Sequence, residues 1–223
     1  MVNIENYNKI IEQLGDKVTL VAVSKTKPVE DIKALYDLGQ RDFGENYVQE
    51  LVDKQPQLPS DIRWHYIGHL QSNKVKYIAP FVHLIHGVDS FKLLLEINKQ
   101  ALKNNRVIDC LLQIHIASEE TKFGMDEREL YELIRQFENS AMQNVSLVGL
   151  MGMASFTDDM NRVRQEFQYL KSVFDKYAKS SILNSQFSIL SMGMSSDYKI
   201  AIEEGSTMVR IGSLIFGERN YIK

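Results

Sequence analysis

The clearest structural signal in the chain is the stretch Val21-Ala22-Val23-Ser24-Lys25-Thr26-Lys27-Pro28. Its β-branched and apolar residues predict a buried strand, and the proline marks the loop that follows the strand. Residues 30–38 then carry apolar side chains at helical spacing, so strand, loop and helix make up one βα unit. The stretch also places a lysine amine directly at the carboxyl end of the strand.

Similar βα units follow along the rest of the chain, about eight in all, as expected for a parallel sheet with helical crossovers. Strands are predicted at residues 18–24, 42–44, 63–68, 84–87, 107–116, 145–149, 187–190 and 208–211. Helices are predicted at residues 5–14, ahead of the first strand, and at 30–38, 47–54, 90–103, 127–137, 160–179 and 197–204. This pattern favours an α/β fold, a single (β/α)₈ TIM barrel with an extra N-terminal helix, and leaves an open doubly wound sheet as the alternative.

Length and composition favour one domain over residues 1–223, because 44% hydrophobic and 25% charged residues suffice for one sizeable core. A net charge of -3 gives no positive excess, so neither nucleic acid nor a membrane surface is an expected partner. The N-terminus lacks a basic patch followed by an apolar core, and no apolar run is long enough to cross a bilayer, which predicts a cytoplasmic protein. The single Cys110 cannot form an internal disulfide and is expected to be a buried apolar residue.

In a TIM barrel, the residues that end the strands meet at one mouth, where the functional site lies. Here these positions are rich in polar and reactive side chains. They are Lys25, Glu45, Asn46, His69, Gln71, His86, His115, Met151, Met153, Met192, Met194, Ser195 and Arg210. We therefore expect the functional site at this mouth.

Lys25 is the candidate for covalent chemistry. A lysine whose ammonium is partly desolvated loses its proton more easily and forms an imine with an aldehyde. The alternative is a solvated lysine at a strand end, without covalent chemistry. Lys27 precedes Pro28 in the loop and is expected to face solvent.

A glycine-rich run near the C-terminus offers groups that bind a phosphate. Backbone N–H groups and hydroxyls are supplied by Gly205-Ser206-Thr207-Met208-Val209-Arg210-Ile211-Gly212-Ser213 and by the preceding residues 191–197. The loops after the last two strands of a barrel are where phosphate is often bound. Arg210 ends an apolar strand, a position where an arginine needs a partner. A lysine amine beside a phosphate site is typical of pyridoxal phosphate, PLP.

Two further candidates lie after the second strand and around the third strand. The amide of Asn46 can hydrogen-bond a ring hydroxyl or orient the lysine. His65 and His69 suggest metal ligation, but no cysteine or carboxylate lies at a matching spacing, so no metal is expected. Strand alternation places one of these histidines inside the barrel or against a helix and the other at the mouth.

Several motifs occur in order along nearly the whole chain: Val23-Ser24-Lys25-Thr26-Lys27-Pro28, Phe43-Gly44-Glu45-Asn46-Tyr47, His65-Tyr66-Ile67-Gly68-His69-Leu70-Gln71-Ser72-Asn73-Lys74, Gly149-Leu150-Met151, and Leu190-Ser191-Met192-Gly193-Met194-Ser195 through Gly217. Together they resemble the pyridoxal phosphate homeostasis protein family, which is similar to the barrel domain of alanine racemase. The last block is the most specific.

The resemblance implies roles for individual residues. Lys25 matches the lysine that forms the Schiff base with PLP, Arg210 the arginine that faces the pyridine nitrogen, and Asn46 the amide near the ring. The phosphate-holding positions are matched by Ser195, Gly212 and Ser213.

The role implied for Arg210 has a consequence for reactivity. A cation beside the pyridine nitrogen disfavours protonation of that nitrogen, which strong carbanion chemistry requires. Alanine racemases also use a base from a second, β-rich domain, and only about ten residues follow the eighth unit here, so no such domain is expected. We therefore expect a non-catalytic PLP carrier or buffer that supplies apo-enzymes. The alternatives are a low-activity PLP-dependent amino-acid racemase and, more distantly, a cofactor-free Schiff-base aldolase.

Two expectations concern assembly and release. Without the second domain of the racemases the usual dimer contacts are missing, so a monomer is expected. Lys122 lies in the loop after the fifth strand and is a candidate to receive the aldehyde during release, with a solvated loop lysine as the alternative.

Overall fold

The sheet of this protein is a closed barrel of parallel strands. A computed structural model describes residues 2–119, 122–179 and 187–217, in which consecutive strands are neighbours around the barrel. Pairing of Leu20 with Val209 joins the first and last strands and closes the barrel. The strands are β1 (Thr19–Val23), β2 (Asp42–Glu45), β3 (Arg63–Tyr66), β4 (Leu84–Val88), β5 (Ile108–Ile114), β6 (Val145–Gly152), β7 (Ile189–Met194) and β8 (Met208–Ile211). The predicted (β/α)₈ barrel is confirmed.

Helices surround the barrel and connect its strands. They are α1 (Ile4–Leu14), α2 (Val29–Asp37), α3 (Val48–Lys54), α4 (Val75–Ile78), α5 (Phe91–Lys103), α6 (Glu127–Glu138), α7 (Met160–Ala178), α8 (Tyr198–Glu203) and α9 (Ser213–Phe216). Local sequence explains where the longer ones begin: at α6, Asp126 and Glu129 form a reciprocal capping box. The main core lies between the barrel and these helices, and a second apolar cluster fills part of the barrel interior.

Strands β6 and β7 extend further than the sequence predicted. The predicted ends were residues 149 and 190, whereas β6 ends at Gly152 and β7 at Met194. Gly149 lies inside β6, where a Cβ atom would lie 1.8 Å from the carbonyl oxygen of Ile189 in β7. The glycine therefore permits close approach of the neighbouring strand and does not end β6.

The predicted N-terminal helix is present as α1 and lies against α9. The backbone N–H of Asn3 donates to the carbonyl of Ile215 at 2.8 Å, and the side-chain amide of Asn6 donates to the carbonyl of Leu214 at 3.2 Å. The N-terminal helix is thus hydrogen-bonded to the short helix α9, which follows β8. Within the described ranges, no helix is long and apolar enough to cross a membrane. That all residues 1–223 form one domain stays a prediction, since residues 1, 120–121, 180–186 and 218–223 lie outside the described residues.

Candidate cofactor site

A cavity of about 400 Å³ opens at the carboxyl ends of β1, β2, β7 and β8. This volume lies within the range of ordinary small-molecule sites. The six residues to which the resemblance assigned roles at the cofactor all line this one cavity: Lys25, Asn46, Ser195, Arg210, Gly212 and Ser213. Apolar wall is added by Val23, Ile67, Met153, Phe156 and Met194.

Lys25 follows β1 at a sharply fixed turn. The next residue, Thr26, has a φ of 63°, a left-handed conformation uncommon for a residue with a side chain. Its backbone N–H donates to a carboxylate oxygen of Glu50 at 2.5 Å, which stabilises the turn. The lysine stem therefore leaves the strand in a defined direction at the cavity wall.

A cluster of charged side chains around Lys54 also stabilises this turn. The Lys54 ammonium donates to the carboxylates of Glu45 and Glu50 at 2.8 and 2.6 Å, and to the carbonyl of Ser24 at 2.9 Å. The Ser24 hydroxyl also donates to Glu45 at 2.7 Å. Burial raises the pKa of the Glu45 carboxyl, and the neighbouring ammonium opposes that rise. Sequence analysis missed Lys54, because its helical position alone gives no sign of burial.

Asn46 presents an unpaired amide oxygen. Its Oδ1 atom is buried and has no hydrogen-bond partner among the residues that the structure describes. Its backbone is fixed, since the Tyr66 hydroxyl donates to the Asn46 carbonyl at 2.9 Å. The chain also passes very close at Gly68, where a Cβ atom would lie 2.4 Å from the same carbonyl oxygen. Because burying an unpaired amide is costly, the group is suited to a polar ligand.

Arg210 is almost completely buried, with 4% of its surface exposed. Its guanidinium donates to the Ser191 hydroxyl at 2.7 Å and to the Gly152 carbonyl at 3.0 Å. Burial lowers the pKa of Arg210 to about 10, and the nearby Asp197 carboxylate opposes this shift. The side chain therefore remains a cation at neutral pH, fixed at two points.

Ser195, Gly212 and Ser213 also line the cavity. The backbone N–H of Gly212 donates to the Ser195 hydroxyl at 3.3 Å. A Cβ atom on Gly212 would lie 3.2 Å from the carbonyl oxygen of Val23, so a side chain here would crowd β1. Small residues thus leave room for a ligand beside hydroxyls and backbone N–H groups.

Lys27 corrects a prediction from the sequence, which placed it in solvent. The side chain lines the cavity, and its ammonium donates to the carbonyls of Phe216 and Gly217 at 2.9 and 3.2 Å. The last residues of α9 carry carbonyls that no further helical turn satisfies, and these attract a lysine. The proline after Lys27 gave no sign of this contact.

Comparisons with known proteins agree with this geometry. The family model of the alanine racemase N-terminal domain matches residues 4–220. A pyridoxal phosphate homeostasis protein of Aquifex aeolicus is 42% identical over 223 residues, which cover 98% of this chain and 96% of the relative. The human protein of the same name is 41% identical over 214 residues, which cover 92% of this chain and 78% of the relative. The chain belongs to the pyridoxal phosphate homeostasis protein family.

Solved structures extend the comparison for this homeostasis-family protein. PipY of Synechococcus elongatus, solved with PLP bound, is 34% identical with a TM-score of 0.87, over 96% of this chain and 99% of PipY. The same protein without PLP has a TM-score of 0.89. Alanine racemase of Bartonella henselae has a TM-score of 0.73 at 16% identity, covering 95% of this chain and 60% of the racemase, and shares the fold alone.

The cavity residues fit a phosphorylated pyridine aldehyde, the group named for the homeostasis-family relatives. The unpaired Asn46 oxygen can accept a hydrogen bond from a ring substituent, and a buried cation lies at Arg210. The hydroxyls and backbone N–H groups around Gly212 suit an anion. A lysine amine, Lys25, is on the wall of the same cavity.

Three histidines that the sequence placed together at the mouth occupy different positions. His86 was wrongly predicted at the mouth: it is fully buried inside the barrel, because β4 continues beyond it to Val88. His69 does lie in the loop after β3, where its ring stacks on Phe123 at 4.1 Å. His115 follows β5 and contacts the carbonyl of Glu119 at 2.9 Å.

Lys122 lies beside the main cavity. It lines a neighbouring cavity of about 190 Å³, which shares Phe156, Met194 and Ser196 with the first. Its ammonium donates to the carbonyl of Ala154 at 2.6 Å and lies 3.1 Å from a Glu119 oxygen. A role in receiving the aldehyde stays a prediction.

His65 has a carboxylate partner that sequence spacing did not reveal. Within the part of the chain that the structure describes, one group brings together three residues of metal-ligating types, Asp42, His65 and His83. Asp42 already accepts hydrogen bonds on both oxygens from Arg63, and His65 lies 2.9 Å from one of these oxygens. The carboxylate is therefore neutralised by a guanidinium in this homeostasis-family protein, which disfavours a metal cation at the same place.

Proposed function

We propose that this protein binds PLP in the described cavity as a Schiff base on Lys25 and acts as an intracellular carrier or buffer that supplies the cofactor to apo-enzymes. The observation that carries the proposal is the convergence of a lysine amine, a buried arginine and a set of anion-binding groups on one cavity. The names of the relatives, homeostasis proteins and a PLP-bound PipY, support the same ligand. The cytoplasm is the compartment we propose.

The covalent step is a reversible condensation. The neutral Lys25 amine adds to the PLP aldehyde, and loss of one water molecule leaves the carbon–nitrogen double bond of the Schiff base. Release requires that water, or the amine of a recipient enzyme, add to the same carbon and displace the lysine. No oxidant or reductant is consumed, so a carrier cycle balances with PLP and water alone.

Each remaining side chain has a proposed place around PLP. Arg210 faces the pyridine nitrogen, and Asn46 lies near the ring hydroxyl. The phosphate lies against Ser195, Gly212 and Ser213. These assignments are supported by the presence of all five residues in the cavity lining, and by the fixed guanidinium described above.

A carrier fits the site better than a racemase does. With a pKa of about 10, Arg210 is positively charged at neutral pH. A cation beside the pyridine nitrogen disfavours its protonation and so weakens the electron sink on which amino-acid racemisation depends. A low-activity racemase remains the alternative, and turnover of a panel of free amino acids, well above the rate with free PLP, would support it over the carrier.

Borohydride reduction tests the Schiff base. The protein is incubated with PLP, reduced, digested and mapped by mass spectrometry, and we expect one phosphopyridoxyl group on Lys25. Lys27→Arg is the matched control, because Lys27 lines the same cavity. The adduct should persist in Lys27→Arg and vanish in Lys25→Arg; an adduct on Lys27, or none at all, would refute the assignment.

Transfer to an apo-enzyme tests the carrier role. The PLP-loaded protein is mixed with a PLP-dependent apo-enzyme, and the recovery of activity is compared with release of PLP into an aldehyde-trapping reagent. Recovery at least as fast as release supports supply of the cofactor. Failure of the apo-enzyme to regain activity, although PLP is released into the trap, would contradict it.

Assembly and the release route have their own measurements. We propose a monomer, which light scattering of the PLP-loaded protein should report as a mass near 25.7 kDa. For release, a Lys122→Ala variant should lose PLP more slowly than the wild type, with Lys99→Ala, on the exposed surface of α5, as control. Equal off-rates in the wild type and Lys122→Ala would remove Lys122 from the release route.

A further inference from the structure

A continuous chain of side-chain hydrogen bonds crosses the barrel interior. It begins at Asp42, near the amino end of the barrel, where a carboxylate oxygen lies 2.9 Å from Nε2 of His65. Nδ1 of His65 lies 2.9 Å from Nε2 of His86, and Nδ1 of His86 lies 3.2 Å from the Ser191 hydroxyl. The same hydroxyl accepts from the Arg210 guanidinium at 2.7 Å. The chain therefore ends at the wall of the cofactor cavity.

The two ends of this chain fix its direction. Arg210 can only donate, and an ionised Asp42 can only accept. Burial opposes ionisation of Asp42, but hydrogen bonds from Arg63 and His65 outweigh it and lower the pKa of the carboxyl below its usual range. The carboxylate is thus ionised at neutral pH.

Only one proton arrangement then satisfies every link with neutral rings. Ser191 accepts from Arg210 and donates to Nδ1 of His86. Nε2–H of His86 donates to Nδ1 of His65, and Nε2–H of His65 donates to Asp42. Both histidines are therefore neutral with the proton on Nε2, and every hydrogen bond points from the cation toward the carboxylate. Chains aligned in this way strengthen each of their members.

We propose that His86 and Ser191 are positioning residues for Arg210, and that the chain through His65 makes the placement of the arginine against the cofactor depend on the Asp42 carboxylate at the far end of the barrel. This inference rests on the proposed function, in which Arg210 faces the PLP ring. It adds residues that do not touch the cavity.

The surroundings of the chain support a directed role. The interior cluster beside it is apolar and includes Val21, Leu84, Leu111 and Met208. Apolar side chains of similar volume often serve such an interior at least as well as ionic groups do. A row of hydrogen-bonded polar side chains in such an interior therefore suggests a role other than stability. The row leads to Arg210, whose guanidinium is held by the Ser191 hydroxyl and by a main-chain carbonyl.

The first test needs no cofactor. The protein contains five histidines, which are labelled with ¹⁵N and assigned with His65→Gln and His86→Gln variants. We expect the nitrogen shifts of His65 and His86 at neutral pH to report neutral rings with the proton on Nε2. A proton on Nδ1 of His86, or a doubly protonated ring at either position, would overturn the inference.

The second test breaks the chain at chosen links. His86→Gln keeps a donor toward His65 and loses the acceptor for Ser191, whereas His86→Asn keeps the acceptor and loses the donor. We expect about tenfold weaker PLP affinity in His86→Gln and a smaller loss in His86→Asn, because loosening a charge-assisted bond is worth roughly that factor. The visible absorption band of bound PLP should shift in both variants, a signature that a general loss of stability does not produce.

The most distinctive variant changes Asp42, the residue of the hydrogen-bond chain that lies farthest from the cofactor cavity. Asp42→Asn keeps an acceptor oxygen for His65 and removes the charge, and we expect the absorption band to shift although the cavity is untouched. Asp61→Asn is the matched control, since Asp61 pairs with Arg41 at 2.9 Å near the same end of the barrel and takes no part in the row of hydrogen bonds from Asp42 to Arg210. This variant should keep the absorption band and the PLP affinity of the wild type.

The outcomes separate this inference from the proposed function. Folded His86 and Asp42 variants with wild-type band and affinity would refute the positioning role. If the His86 variants do not fold, the nitrogen shifts and Asp42→Asn decide. If the wild-type protein binds no PLP, the proposed function fails, whereas the proton positions on His65 and His86 still confirm or refute the chain.

Discussion

Acid should destabilise this protein because one buried histidine remains neutral in the fold. His86 has no exposed surface. Burial, together with the neighbouring Arg210 cation, lowers its pKa well below the ordinary value of 6.5. In the unfolded chain the ring takes up a proton as the pH falls through 6.5, whereas the folded ring does not. The unfolded state then binds more protons, so the free energy of unfolding falls as the pH falls.

The size of the effect follows from this difference in proton binding. A full proton of difference changes the free energy of unfolding by about 1.4 kcal/mol per pH unit. With an unfolded pKa of 6.5, integration from pH 7 to pH 5 gives a loss of at most about 2 kcal/mol. The lowered pKa of Asp42 acts in the same direction, but its stabilisation is lost only as the pH falls through and below 3.8, outside this window.

Urea denaturation of the cofactor-free protein at pH 7, 6 and 5 measures this loss. The comparison is with His86→Gln, in which nothing titrates at that position. Other groups, such as Glu45, titrate in both proteins and cancel in the difference. We expect the wild type to lose more than the variant between pH 7 and pH 5, by up to about 2 kcal/mol. Equal losses would mean that His86 accepts a proton in the folded barrel, and the directed hydrogen-bond chain would be wrong.

Three further substitutions or labels test the site and its support. Gly68→Ala would place a methyl carbon 2.4 Å from the Asn46 carbonyl oxygen, so we expect thermal denaturation to show a loss of about 2 kcal/mol, and PLP titration to show weaker binding. Lys54→Met leaves the buried Glu45 carboxylate without its cation and should cost about 3 kcal/mol in urea unfolding, part of which a second change, Glu45→Gln, should recover. Burial raises the pKa of the Cys110 thiol well above its usual range, so a thiol-reactive dye should label the native protein only as fast as it unfolds; rapid labelling would contradict the burial.

The sequence predicts the barrel well because its strands are short, apolar and regularly spaced. The same signal fails at the ends of β6 and β7, which run past the predicted ends at Gly149 and Leu190. Gly149 allows the carbonyl oxygen of Ile189 in β7 to approach closely, a packing requirement that no local pattern reveals. The helices α4 and α9 are only four residues long, too short to show a helical period.

The residues that line the candidate site were predicted more completely than the contacts that hold them in place. Lys25, Asn46 and Arg210 follow or end strands, so the barrel topology alone brings them together. The contacts beneath them join residues far apart in sequence: His86 and Ser191 are separated by 105 positions, and Lys27 contacts a carbonyl 189 positions away. Such pairs depend on strand register and on which face each residue occupies, which a single sequence does not specify.

The contact of α1 with α9 has a consequence for protein engineering. Asn3 and Asn6 bond carbonyls directly after Ser213, so the beginning of the described chain braces the turn proposed to bind phosphate. Because Asn3 and Ile215 lie within hydrogen-bond distance, a circularly permuted protein can join the chain near these positions through a linker and begin instead in an exposed loop at the amino end of the barrel. A permuted protein of this kind would show whether the phosphate turn depends on the brace itself or on the order in which the chain is connected.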